Sequence, residues 1–351
     1  MARGTDFGGV HSHKDLHLIQ QKVEVQPAEP KLNLIEVPGA DGSKDLSTQP
    51  AGRVTFYDRE IEWTFALYPE DNWDAKHRQV SGALNGRYCQ ITLDTDPGYY
   101  YLGRLVVSKH TVDGLLRQII VRAQCRPYKL RQQVTRAFIP FCGKNLINVS
   151  PETYLRQANQ VHGTVEYIQD GIRKSGKYYA GYRVFVNPNT LYFLSLNVKK
   201  IAEDDGHGGR ISIYDAGVTS QVAVFRGTGG PFTCSFNSGN HTELAVLLYS
   251  DGDAGLGVYE FTNIQLEALK VTDYEPYTVE PEKEVVLLND RKPVVPSIIC
   301  SEETTLLLNG NSYVMNAGTH KLLDFQLEEG TNRVTLRGTG AASIIYQEGA
   351  L

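Results

Sequence analysis

Gly171-Ile172-Arg173-Lys174-Ser175-Gly176-Lys177 has the spacing of a loop that cradles phosphate oxygens with backbone N–H groups. The next residue in such a loop is Ser or Thr, whose hydroxyl holds magnesium, and here it is Tyr178. The loop must also open a helix whose N-terminus faces the phosphates, and the pattern that follows is strand-like. The segment therefore reads as a β-turn and not as a nucleotide site. His11, His13 and His17 are potential metal ligands, but no spaced cysteines or second acidic cluster complete a coordination shell. A surface turn leading into the first strand is the expectation there. Asp204-Asp205-Gly206 and Asp251-Gly252-Asp253 carry oxygen ligands of the kind calcium takes, without the spacing of an EF-hand loop. They read as solvated turns. No metal and no cofactor is expected.

Paired carboxylates could hydrolyse a glycosidic bond if two of them converged across a cleft. Glu166, Asp170, Glu243 and Glu260 lie in one part of the chain, but the sequence does not bring any two together. No Gly-x-Ser-x-Gly elbow and no His-Glu-x-x-His helix occurs, so no catalytic residue is assigned. Tyr178, Tyr179, Tyr182 and Arg183 form the candidate carbohydrate-binding cluster. Sugar C–H faces stack on aromatic rings, and a guanidinium offers donors in a fixed plane. Tyrosines at the start of a strand also pack in cores. Period-two alternation puts Tyr182 and Arg183 on opposite faces, so at least one of the four is structural.

The elements that would carry these residues are mostly strands. Glu60 to Tyr68 alternates, with Ile61, Trp63, Phe65 and Leu67 on one face and Glu60, Glu62 and Thr64 on the other. One helix is predicted. Asp71 or Asn72 caps it, Trp73, His77, Val80 and Leu84 recur at helical spacing, and Asn85-Gly86 ends it in a left-handed turn. From Cys142 to Val279 about seven short strands follow at near-regular spacing, the pattern of a β-sandwich or jelly roll. They are Tyr182–Val186, Leu191–Val198, Arg210–Tyr214, Gln221–Phe225, Phe232–Phe236, Glu243–Tyr249 and Tyr259–Leu266. After the polar break Glu280-Pro281-Glu282-Lys283, strands resume at Val285–Leu288, Val294–Ile299, Thr304–Leu308, Leu322–Leu327, Val334–Leu336 and Ser343–Tyr346.

Length and composition fit this reading. A chain of 351 residues holds two or three domains, and 41% hydrophobic with 21% charged residues is globular. Tyrosine, at 20 against 2 Trp, suits both strands and recognition faces. The net charge of -5 comes without a basic stripe, so a nucleic-acid partner is not expected. The five cysteines are scattered with no Cys-x-x-Cys pair, which reads as reduced thiols in a protein assembled in a reducing cytosol. Met1 to Val10 has no apolar signal-peptide core, and no run approaches a membrane span, so membrane insertion is not expected.

Two stretches carry a family resemblance. The first holds Phe7-Gly8-Gly9-Val10-His11-Ser12, Pro38-Gly39-Ala40-Asp41-Gly42 with Leu46, and the Glu62–Phe65 strand. The second holds Asn289-Asp290-Arg291-Lys292-Pro293-Val294-Val295-Pro296, Leu308-Asn309-Gly310, Leu327-Glu328-Glu329-Gly330-Thr331-Asn332 and Tyr346-Gln347-Glu348-Gly349-Ala350-Leu351. In this order they resemble the distal tail proteins of long-tailed siphophages infecting Gram-positive bacteria. The resemblance covers about Met1 to Pro140 and Glu282 to Leu351.

It implies an all-β protein. An N-terminal β-sandwich with one helix (1–128) would form a homohexameric ring, and a galectin-like C-terminal β-sandwich (129–140 and 282–351) would sit outside it. The ring would join the tail tube protein to the tail-tip (tail-associated) protein and adsorption apparatus. The location implied is the virion tail tip, after assembly in the host bacterial cytoplasm. Residues 141–281 are extra relative to short family members. The run Phe261-Thr262-Asn263-Ile264-Gln265-Leu266-Glu267 with Asp273-Tyr274-Glu275-Pro276-Tyr277 is similar to the ends of carbohydrate-binding jelly rolls in phage tail proteins. The implied partner of this insert is host cell-wall polysaccharide. The alternatives are a glycan hydrolase and an architectural dock for another tail protein.

Overall fold

The computed structural model describes residues 4–351 apart from 50, 70, 114–115, 156–162, 177–178, 203–208, 228, 251–256 and 309. Among the described residues the chain is nearly all antiparallel strand with one α-helix. Three large buried clusters organise it.

The first cluster lies in an eight-stranded sheet. Six of its strands run in the spatial order Thr5–Phe7, Tyr88–Leu93, Tyr99–Asp113, Leu116–Cys125, Arg59–Ala66 and Ile19–Val25, and Lys129–Arg131 and Gly349–Ala350 join it off this path. The strand Arg59–Ala66 alternates as its sequence predicts, so Ile61, Trp63 and Phe65 are fully buried. Each such side chain removed from water stabilises the fold by roughly 1.5–3 kcal/mol. The sheet curls until its edge strands meet, where Thr5 Oγ1 donates to Gln20 Oε1 at 2.7 Å. Trp63 Nε1 donates to the same Thr5 hydroxyl at 3.0 Å, which satisfies the indole inside the core. The helix Trp73–Leu84 covers one side. Asn72 is its cap, accepting from the Ala75 N–H at 3.0 Å, and Val80 and Leu84 face inward.

The described residues of 29–57 leave this sheet as a two-stranded arm. Backbone bonds from Lys31 to Thr55 and from Tyr57 to Glu29, each 2.8 Å, form its base. The hairpin Leu34–Glu36 with Ser43–Asp45 forms its tip. Its turn needs left-handed backbone, supplied by Gly39 (φ +81°) and Gly42 (φ +77°).

The last cluster lies between two four-stranded sheets. One contains Thr135–Pro140, Ala341–Tyr346, Ser297–Cys300 and Gly318–His320. The other contains Glu282–Asn289, Gly330–Gly338, Thr304–Leu308 and Asn311–Met315. The expected strand Leu322–Leu327 is not one. Phe325 N–H closes a turn onto Leu322 O at 3.1 Å, and Phe325 and Leu327 plug the core without a ladder; Leu327 makes only an isolated bridge to Val294. Near the chain's end Gly349–Ala350 pairs with Lys129–Arg131, which itself pairs with the start of Tyr99–Asp113.

Between Thr135–Pro140 and Glu282–Asn289 the chain builds a second sandwich, of two five-stranded sheets. One contains Tyr154–Leu155, Tyr179–Phe185, Glu243–Ser250, Gly209–Asp215 and Gln221–Gly227. The other contains Val165–Ile168, Gly171–Ser175, Val258–Ala268, Leu191–Ala202 and Gly230–Asn237. The incoming and outgoing segments meet at a neck. Cys142 bridges Val279, Gly143 N–H donates to Thr278 O at 2.9 Å, and Glu280 N–H donates to Phe141 O at 3.0 Å. Above the neck, Asn145 is buried and makes four bonds to backbone. It donates to Ile264 O (2.9 Å) and Glu275 O (3.2 Å), and accepts from Ile147 N–H and Leu266 N–H (both 3.1 Å).

Candidate carbohydrate-binding site

Gly171–Ser175 is a strand, not the expected turn. It pairs with Val165–Ile168 on one side and Val258–Ala268 on the other. A phosphate loop needs converging N–H groups, and a strand's N–H groups alternate outward to its neighbours. Lys177 and Tyr178 lie outside the described residues, as do Asp204, Asp205, Asp251 and Asp253. At the N-terminal end, His11 is buried with both ring nitrogens engaged. Nδ1 accepts from the His13 and Lys14 N–H groups (3.1 and 3.2 Å), and Nε2 is 3.3 Å from Asp94 Oδ1. Among the described residues no three His, Cys, Asp or Glu side chains converge as metal ligands.

The four carboxylates separate into different roles. Glu166 and Glu260 are brought together, but on one guanidinium: Arg173 donates to Glu166 at 2.8 Å and to Glu260 at 2.7 Å. Glu243 faces Arg183 at 3.4 Å. Asp170 stands apart on the two-residue loop joining Val165–Ile168 to Gly171–Ser175, in left-handed backbone at φ +58°.

The strand Tyr179–Phe185 divides the tyrosine cluster between two faces. Tyr182 points into the inter-sheet core and is fully buried, against the edge of Tyr154 at 6.0 Å. Its expected role as a sugar platform is corrected, because it has no face left for a ligand. Burial pushes its phenol far above the ordinary range. Tyr179 is on the outer face, only 6% exposed, edge-on to Tyr249 at 5.6 Å. The Arg210 guanidinium covers the Tyr249 ring at 3.9 Å, and burial pushes the Tyr249 phenol up to about 12. Arg183 shares that outer face and is exposed.

Two hollows lie near the neck, the smaller of them beside this strand. One, of about 340 Å³, is lined by Tyr167, Asp170, Tyr274, Asn148, Ser150 and Tyr277, among others. The other, of about 210 Å³, is lined by Arg183, Thr153, Glu302, Thr339, Asn148 and Tyr277, among others. Asn148 and Tyr277 are their common border. Arg183 is thus the one member of the predicted cluster that reaches a described hollow. Tyr167, Tyr274 and Tyr277 are not among the site residues the sequence predicts. Two of them belong to the polar, proline-containing run Asp273-Tyr274-Glu275-Pro276-Tyr277, a loop composition that marks surface recognition as readily as a domain end.

No protein-family model matches the chain, and no curated protein does. Among solved structures it is similar to the Dit protein of SPP1, described as a paradigm of the hub adsorption apparatus in Gram-positive-infecting phages. Identity is 12% and the TM-score 0.39, with all of both chains covered. The tandem CBM22 domain of Paenibacillus barcinonensis Xyn10C matches at 11% identity and TM-score 0.23, covering 64% of this chain and 93% of that one. The M60 catalytic domain with two CBM51 domains of Clostridium perfringens ZmpB matches at 9% identity and TM-score 0.20, covering 93% and 43%. All three TM-scores lie below 0.5, so what this chain does is read from its own residues.

Proposed function

We propose that this chain is a structural hub of a phage tail tip, a homohexameric ring at the junction of tail tube and adsorption apparatus. Residues 1–128 would carry the ring, 129–140 with 282–351 a flanking sandwich, and 141–281 an inserted module that binds host cell-wall polysaccharide. The role is binding and assembly, not catalysis. Its partners would be further copies of itself, the tail tube protein and the tail-tip protein.

The observation that carries the assembly reading is the arm. Leu32 (62% exposed), Leu34 (53%), Ile35 (45%) and Val37 (44%) stand exposed on it. A two-stranded ribbon does not hold itself in water by burial, and a concentrated apolar patch marks an interface. A second copy of the same chain, related by rotation, supplies the missing cover in a closed ring. The sequence resemblance at both ends of the chain points the same way.

The test is to replace Leu32, Leu34, Ile35 and Val37 together by Ser and to compare masses by light scattering and particle shape by negative-stain microscopy. The expected result is six-fold rings for the natural chain and monomers with an unchanged melting profile for the variant. Rings formed equally well by the variant, or a natural chain that is monomeric at high concentration, would refute the assembly reading. Time-dependent release of reducing sugar from cell walls would turn the insert's role from binding to hydrolysis.

A further inference from the structure

We infer that the two hollows at the neck of the insert form one binding groove for a neutral saccharide chain, with Tyr274 and Tyr277 as stacking faces and Asn148, Asp170, Arg183 and Glu302 as the polar groups that orient it. The inference rests on the polysaccharide-binding reading above and names both the site and the ligand class.

The shape comes first. A hollow of about 340 Å³ has the volume of a small-ligand pocket. Its neighbour of about 210 Å³ shares Asn148 and Tyr277 with it, so a ligand longer than one unit can run from one to the other across that border. The smaller hollow also lies where the insert meets the C-terminal sheets, a preferred kind of location for ligand sites.

The lining decides the chemistry. Tyr167 is 38% exposed, and Tyr274 and Tyr277 are half-buried, so three phenol rings border the first hollow without being consumed by the core. Aromatic faces between polar groups suit a pyranose, which has apolar C–H faces and a polar rim. Asn148 offers both donor and acceptor to hydroxyl groups, and Asp170 and Glu302 offer acceptors. Asp170 is held in place: its own carbonyl accepts from Asn263 N–H at 2.8 Å, and the Tyr274 hydroxyl lies 3.4 Å from its carboxylate. Arg183 supplies a planar donor at the far end, with Glu243 3.4 Å away.

Charge excludes the commonest alternative on a Gram-positive wall. A polyol-phosphate chain needs several cations, as each phosphate is a full negative charge. The described lining of the two hollows contains one cation, Arg183, and two acids, Asp170 and Glu302. That balance repels phosphate and accepts hydroxyl groups. A neutral polysaccharide is therefore the ligand, and glycerol-phosphate polymer is not.

The experiment uses the full chain. Binding is measured by calorimetry to neutral polysaccharide from Gram-positive walls stripped of teichoic acid, and separately to purified glycerol-phosphate teichoic acid. Tyr274→Ala and Asn148→Ala are each expected to weaken neutral-polysaccharide binding roughly ten-fold. Asp170→Asn, which keeps the shape, guards against a folding artefact, and melting temperature is followed for all three. Wild-type binding that persists undiminished in all three variants would overturn the groove while leaving the polysaccharide reading intact. Binding to teichoic acid but not to neutral polymer would overturn the ligand class. A wild-type chain that binds neither would remove both the groove and the reading beneath it.

Discussion

Asn145→Ala should unfold the insert selectively. The side chain joins the incoming segment to three points of the outgoing half, through four bonds to backbone groups. Truncation strands the Ile147 and Leu266 N–H groups and the Ile264 carbonyl in the interior. Glu275 lies in an exposed segment, where its carbonyl can turn to water. Three buried groups left unpaired at roughly 1–2 kcal/mol each give a loss of about 4 kcal/mol. For a sandwich of this size that lowers the melting midpoint by roughly 10–20 °C.

Both tryptophans, Trp63 and Trp73, belong to the first sheet and its helix. Their fluorescence therefore reports the N-terminal part, while far-ultraviolet dichroism reports the whole chain. The expected outcome is an early dichroism transition with an unmoved fluorescence midpoint. Asn145→Asp keeps the two acceptor bonds but sets a carboxylate against two carbonyl oxygens, so it should not rescue. If fluorescence and dichroism shift together, or if neither moves by more than about 3 °C, the neck is not held by this side chain.

Neighbouring residues should behave oppositely at the centre of the insert. Tyr182→Ala opens a cavity in a filled core and should cost about 3–5 kcal/mol in urea denaturation, whereas Arg183→Ala on the exposed face should stay within about 0.5 kcal/mol; equal effects would contradict the assignment of faces. Lys174 gives a pH signature. It is fully buried, its ammonium donates to the Ser175 and Gly176 carbonyls (2.6 and 3.0 Å), and burial pushes its pKa down to about 8. Above that value the folded chain has lost a proton that the unfolded chain keeps until its ordinary pKa, so the residue's contribution to stability rises with pH. Relative to Lys174→Met, the natural chain should gain about 2 kcal/mol between pH 7 and pH 10, and a difference that stays flat in urea titrations at the two pH values would refute it.

Much of the fold was legible because alternation is a direct imprint of a two-sided sheet. In Leu191–Ala202 the residues Tyr192, Leu194, Leu196 and Val198 are buried as their period predicts, and all seven expected strands of the insert lie within or overlap observed ones. Gly171–Ser175 escaped because its inward positions hold Ile172 and then Lys174, a charge where the pattern calls for an apolar residue. Leu322–Leu327 misled for the opposite reason, since apolar residues fill a core from a turn as well as from a strand. At the site, alternation predicted that Tyr182 and Arg183 part company, but not which of them faces inward. That depends on which side the second sheet covers. The groove was illegible because its walls come from the segment around Asn148, the loop at Asp170 and the run Tyr274–Tyr277, which only the folded neck brings together.

The pairing of Gly349–Ala350 with Lys129–Arg131 also orders events on the ribosome. The two partners are separated by roughly two hundred residues, so at 5–20 residues per second they are made roughly 10–40 s apart. Through that interval Lys129–Arg131 has no strand on its outer side and presents unpaired N–H and C=O groups. The insert, whose ends both emerge before residue 290, can close its own core in the meantime. The two five-stranded sheets of the insert can thus close before Gly349–Ala350 pairs with Lys129–Arg131. A nascent chain stalled near residue 340 would display a finished insert on an unfinished base, with an open edge for any neighbouring chain to pair with.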